Sequence, residues 1–242
     1  MTRLAHFGVV VIMLGGVRCS SAPTEPAVAG FSVTEVTTHF AMGDVIEQTT
    51  NGDFRRTRGS VGSYLVNTAT SGSLGAMDGA PAESFSGALP DHEALLASYY
   101  GGLECPSSQL EGMSTSRIYG IGGTVSYFQT TYTRAVEGVH IAGSYIRASC
   151  LDSKRCIDEY IFWPPIPGNT MSAAREFKAM LGTPDGARFR SGLPNGGAGG
   201  EVTIQHSEWM VHTTVFVVTF DVPLPNETLS YDRRGVATVP PN

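Results

Sequence analysis

Tyr132-Thr-Arg-Ala-Val-Glu-Gly-Val-His-Ile-Ala-Gly-Ser-Tyr-Ile-Arg-Ala148 reads as strand, turn, strand. Aromatic and β-branched residues fill both arms, and Glu137-Gly138 sits between them as the turn. The two arms extend to strand-like runs at 124–134 and 138–149. A third run at 155–163 follows the polar loop that Cys150 and Cys156 flank. The three together form an antiparallel meander.

A helix is expected just upstream. Asp91 can cap a run through Ala94, Leu95, Leu96 and Tyr99, which Gly101-Gly102 ends. The same order recurs downstream. Ser172 is a suitable N-cap, and Ala173, Ala174, Phe177, Met180 and Leu181 keep helical spacing until Gly182-Thr183-Pro184 stops the helix. Strand-like runs follow at 201–206, 210–222 and, more weakly, 228–239. Val215 to Val218 is apolar on both parities, which predicts a central strand covered on both faces. The chain therefore reads as α+β: antiparallel sheet with two helices packed on one face, arranged as two helix-plus-meander units.

Before the first unit, residues 31–90 read as a β segment that Phe31, Val33 and Val36 open. Asn51-Gly52 is its hairpin signal, with a type I′ turn expected. Residues 68–90 read as a Gly/Ala/Ser loop. The organisation is then 1–30 as a leader, 31–90 as the β segment, 91–168 as unit one and 169–242 as unit two, with 31–242 as one compact domain. With 29 Gly and 14 Pro in 242 residues, the chain is richer in loop formers than the average of roughly 12%.

The N-terminus reads as export machinery. Arg3 supplies a positive n-region, and Phe7 to Val17 is an uninterrupted apolar run of the length of a signal-peptide h-region, too short to span a bilayer. Two processing readings stay open. Ala27-Val28-Ala29 gives the small-x-small cleavage pattern. Cys19, followed by Ser20, Ser21, Ala22 and Pro23, resembles a bacterial lipoprotein start, which makes Cys19 the lipidation candidate and residues 20–30 a tether. Arg18 departs from the small residue expected before such a cysteine. Both readings place the protein outside the cytoplasm, in the periplasm, cell envelope or extracellular space, with membrane attachment only through a lipid on Cys19. A disulfide between Cys150 and Cys156 suits that compartment, because opposed residues beside a hairpin loop have the required separation. Cys105 is left over.

Residues 132–148 resemble the propeptide domain of thermolysin- and fungalysin-type metalloproteases and the related PepSY modules. Gly138, Val139, Ile141, Gly143 and Ser144 match the strand–turn–strand pattern, and His140 stands where a proline is usual. The helix-then-meander order agrees. The whole layout, with Tyr160-Ile-Phe-Trp-Pro164 at a strand end, also resembles exported proteins of myxobacteria, a likeness that carries no function. The propeptide resemblance implies a binding module: such domains contact a protease through a sheet edge.

Residue patterns for catalysis are sparse. His92-Glu93-Ala94-Leu95-Leu96 begins like a zinc-protease helix, but Leu96 stands where the second histidine belongs. Gly112-Met113-Ser114-Thr115-Ser116 approaches a serine nucleophile elbow without the closing glycine or a following helix. Asp158 and Glu159 are adjacent on a strand and point to opposite faces. No cofactor or metal motif stands out. The net charge of -6 and the short basic spots Arg55-Arg56-Thr57-Arg58 and Arg233-Arg234 argue against nucleic acid as a partner. Trp163 and Trp209 read as packing anchors. The first functional expectation is a non-catalytic exported module that binds a protein or peptide. The alternatives are an envelope hydrolase using His206 and His212 with a carboxylate such as Glu208, and a structural lipoprotein.

Overall fold

The computed structural model describes residues 26–28, 42–70, 72–77, 94, 107–119, 125–152 and 155–241. The expected helix at 91–101, the strand start at 31–36, Cys19 and Cys105 lie outside the described residues, Ala94 alone being seen as helical. The fold is α+β and mostly antiparallel. Its strands are β1 (Val45–Asn51), β2 (Phe54–Gly59), β3 (Gly62–Asn67), β4 (Gly72–Met77), β5 (Leu110–Tyr119), β6 (Val125–Val136), β7 (Val139–Asp152), β8 (Arg155–Phe162), β9 (Glu201–His206), β10 (Phe216–Pro223), β11 (Thr228–Tyr231) and β12 (Ala237–Thr238). Two α-helices lie wholly among the described residues, α1 (Gly168–Leu181) and α2 (Pro184–Ser191). No helix among the described residues is long and apolar enough to cross a membrane.

All twelve strands join one sheet, and β7 is its branch point. Tyr145 pairs with Thr133 of β6 on one edge and with Phe162 of β8 on the other. His140 pairs with Ala135 of β6 and, on the other edge, with Thr203 of β9. Since β6 follows β7 as a hairpin partner throughout, β9 and β8 share the opposite edge end to end. One arm runs β8-β4-β3-β2-β1 and the other β9-β10-β11-β12. The β7–β9 pair is parallel and the remaining ladders are antiparallel. Between the two docking points the β6–β7 register slips, and Gly143 takes φ +83°. A bulge re-aims a strand at such a point.

The helices cover one face of the second arm. Met171, Ala174 and Phe177 of α1 pack with Val139 and Ile141 of β7, Val202 and Ile204 of β9, and Phe220 and Val222 of β10. Side chains alternate across a strand, so Thr203, Gln205 and Asp221 face the other way. The α1 start differs from expectation: it begins at Gly168 behind Pro167, and Ser172 lies inside it. Pro167 presets φ for helix entry, which substitutes for a side-chain cap. Pro184 does stop α1, but it also opens α2 as its first residue. Thr183 caps that helix, accepting from the Gly186 N–H at 3.3 Å. Proline is tolerated there because its missing N–H would have no helical partner.

Three further expectations are corrected. The Asn51-Gly52 hairpin forms, but Asn51 pairs with Phe54, so Gly52 and Asp53 make the turn, with positive φ at Gly52 and not at Asp53. Within the expected loop 68–90, Gly72–Met77 is a strand between β3 and β8. Its first residue must be glycine because of what lies above it: a Cβ on Gly72 would lie 2.5 Å from Trp209 Cβ. The third concerns 210–222. Asn67 Nδ2 donates to the carbonyls of Trp209 (2.6 Å) and Val211 (2.8 Å), tying that stretch to the β3–β4 turn, so the strand begins only at Phe216. Although β10 lies between β9 and β11, Val215 is exposed and Phe216 to Val218 are half-buried, so the second face there is open.

Candidate functional site

The face of β7, β9, β10 and β11 turned away from the helices carries a cleft of about 410 Å³. His140, Glu201, Gln205, Asp221, Thr228 and Ser230 line it. Gln205 is the buried floor residue. Its Nε2 donates to Ser230 Oγ at 2.7 Å and lies 3.3 Å from each Asp221 carboxylate oxygen. Thr219 Oγ1 donates to Asp221 Oδ1 at 2.8 Å. Gln205 Oε1 is buried without a hydrogen-bond partner. At the rim, His140 Nδ1 is bonded to the carboxylate of Glu111, which reaches over from β5.

Sequence reading missed this cleft. Glu201, Thr203 and Gln205 share one parity of β9, and Thr219 and Asp221 share one parity of β10. That pattern reads as an ordinary solvated sheet face until the register is known. The available signal was a polar parity, Glu201, Thr203, Gln205, Thr219 and Asp221, alternating with Val202, Ile204, Phe220 and Val222 on the same two strands.

The two histidines singled out from sequence have separate surroundings. His206 is buried at the fork. Its ring meets Phe162 edge-on at 4.6 Å between centroids and Phe216 at 5.9 Å, and its Nδ1 lies 2.9 Å from the Ser207 carbonyl. Nε2 has no partner. Burial pushes its pKa down, and the Arg134 charge adds to that. His212 is exposed and bonds Asp53 Oδ2 at 2.9 Å, with Phe54 beside its ring. Glu208 is exposed, and none of these contacts links it to either ring. The structure does not gather His206, His212 and Glu208 into one constellation. Among the described residues no group of three His, Cys, Asp or Glu side chains is placed to hold a metal ion. Gly112 to Ser116 lies on β5 with no helix following among the described residues, and Glu159 is buried while Asp158 is half-buried, as opposite faces require. Arg233 and Arg234 are engaged with Glu176 and Asp232.

Behind the fork, Arg134 is fully buried. Its Nε donates to Gln109 Oε1 at 2.8 Å and its Nη1 to the Pro164 carbonyl at 2.6 Å, and its guanidinium lies 5.0 Å from the Trp163 ring. Trp163 Nε1 donates to the same Gln109 oxygen at 3.2 Å. This knot fixes β6, β7 and the end of β8, so Trp163 packs as the sequence predicts. Cys150 and Cys156 are register partners on β7 and β8, and Cys156 is fully buried.

The outer strand β5 pairs with β6 alone among the described residues. Residues 110–114 are exposed, including Met113 at 46%. No protein-family model, curated protein or solved structure matches this chain.

Proposed function

We propose that this chain is a non-catalytic exported module of the cell envelope that binds a protein or peptide partner by adding a strand to β5. The supporting observation is the second edge of that strand, which no described residue pairs with. An unpaired edge presents a row of N–H and C=O groups that template another strand. Natural sheets blunt such edges with proline or dense charge. The ten residues of β5 contain no proline and only Glu111 and Arg117 as charges. The register with β6 shifts only near its ends, at Leu110/Gly112 and Ile118/Tyr119, leaving a regular stretch between. Strand addition supplies main-chain hydrogen bonds for affinity and alternate side chains for specificity. The propeptide-like stretch 132–148, which supplies part of β6 and β7, agrees with edge binding.

A photoreactive residue at Ser116 tests the reading. It should crosslink one reproducible species in envelope extracts, and Met113→Lys should abolish that product. An unchanged product with Met113→Lys refutes the edge. Export through residues 1–30, with Cys19 as the anchor, belongs to the same reading. Cys19→Ser should release the protein from membranes, and unchanged fractionation refutes the anchor.

A further inference from the structure

We infer that the cleft over β9, β10 and β11 is a binding site for a basic group, the guanidinium or ammonium of an arginine or lysine side chain. This goes beyond strand addition at β5 and rests on different residues. Two carboxylates, Glu201 and Asp221, line the cleft, and neither lysine nor arginine is among the described residues that line it. His140 at the rim is held by a third carboxylate, Glu111. The groups that hold Asp221 are neutral: the Thr219 hydroxyl and the Gln205 amide. Neutral donors fix a carboxylate in place without cancelling its charge, and a carboxylate has about four lone-pair positions to offer. The remaining lining adds acceptors rather than cations. Thr228 and Ser230 carry hydroxyls, and Gln205 Oε1 is a buried carbonyl still lacking a donor.

Charge and shape then choose the ligand class. A phosphate or carboxylate would face Glu201 and Asp221 at close quarters. An apolar group would leave Asp221 and Gln205 desolvated with no partner to replace water. A guanidinium or ammonium brings several donors and a compensating charge. The cleft volume of about 410 Å³ lies at the small end of the range for sites that enclose ligands, roughly 300–1,000 Å³. It admits one basic side chain with its flanking backbone. An organic cation brings its own N–H donors to the Thr228 and Ser230 hydroxyls and to Gln205 Oε1, which a bare metal ion does not.

The test is a titration of the full chain with acetyl-Gly-Arg-Gly-amide, followed by amide chemical shifts and calorimetry. Its control is the same peptide with citrulline, which keeps the shape and loses the charge. The arginine peptide should shift Glu201, Gln205, Asp221 and Ser230. The citrulline peptide should bind roughly tenfold more weakly or worse, as for loss of one charge-assisted hydrogen bond. Asp221→Asn should weaken arginine binding by a similar factor. Because Asp221 also holds Thr219 and Gln205, Glu201→Gln, at an exposed position, provides the variant that leaves folding alone and should weaken binding in the same direction. Equal affinity for the two peptides, full affinity in Glu201→Gln, or no shift at millimolar peptide overturns the site. Met113→Lys should leave tripeptide binding unchanged, so a failure of the β5 reading and a failure of this one are separately visible.

Discussion

Gly143 of β7 and His206 of β9 meet where the two arms of the sheet dock on one strand: a Cβ on Gly143 would lie 3.1 Å from His206 Cε1. Gly143 also holds φ +83°, a region that side chains disfavour. Backbone geometry thus favours glycine, and a Cβ would require the His206 ring to give by a few tenths of an ångström. Gly143→Ala should destabilise the fold by about 1–3 kcal/mol, read from the denaturant midpoint. In a His206→Ala background the steric part should disappear and the backbone part remain. A loss that is the same in both backgrounds would show that the ring is not what Gly143 accommodates.

The same histidine should make stability depend on pH. The groups facing its ring are Phe162 of β8, Phe216 of β10, Gly143 of β7 and, by charge, Arg134 of β6. Its folded pKa is lowered by burial. A histidine shifted downward contributes stability that is complete above its unfolded value of about 6.5 and is lost as pH falls below that value. Tm should therefore drop from about pH 7 to about pH 5. His206→Phe should flatten that slope, whatever its effect on absolute Tm. A variant with the wild-type slope would assign the acid sensitivity elsewhere.

Arg134 should be among the least replaceable side chains outside the helix-facing core. It supplies donors to Gln109 and to the Pro164 carbonyl, and lies over Trp163. Arg134→Ala takes its donor from the buried Pro164 carbonyl, leaves Gln109 Oε1 with Trp163 Nε1 and opens a cavity, and should cost about 3–5 kcal/mol. Arg134→Lys keeps the charge but loses the planar fork that serves two acceptors at once, so it should recover only part of the loss. Chemical denaturation measures both, and a neutral Arg134→Ala would contradict the network.

The clamp on residues 209–211 offers a local test. Asn67 Nδ2 and Thr70 Oγ1 both donate to the Trp209 carbonyl, and Asn67 also reaches Val211. Asn67→Ala should expose the 207–215 segment to limited proteolysis before the rest of the sheet. It should also lower stability by about 1–3 kcal/mol, since it leaves the buried Trp209 carbonyl with one donor fewer. Cleavage elsewhere first would place the weak point outside this clamp.

How much was legible from sequence depends on the range of the physics involved. The Glu137-Gly138 turn was, because Gly138 takes the positive φ it adopts, 69°, without a steric cost, and Glu137 is carried into the same region beside it, at 53°. The α1 stop at Gly182-Thr183-Pro184 was as well, since proline chemistry is local. Gly72–Met77 was not, because its glycine, serine and alanine have weak strand preference and are placed by pairing with β3 and with β8, far along the chain. The parallel β7–β9 contact and the cleft behind it were not legible either. Glu201, Gln205 and Asp221 become one site only through that long-range register, whereas His206 and His212, close in sequence, are parted by the turn between them.

Cys150 and Cys156 close the case for an oxidising compartment or reopen it. They are opposed on β7 and β8, and Cys156 is fully buried. A bridge around so short a loop should stabilise by about 2 kcal/mol on chain-entropy grounds. Such bridges persist outside the reducing cytosol. Protein recovered from the envelope should therefore lack two hydrogens by intact mass. Unfolding under reductant should shift to lower denaturant, and the double variant Cys150→Ser, Cys156→Ser should match the reduced wild type. Thiol titration of the unfolded, unreduced protein decides the matter. If both cysteines react freely, the bridge is absent and export loses one of the sequence features that argue for it.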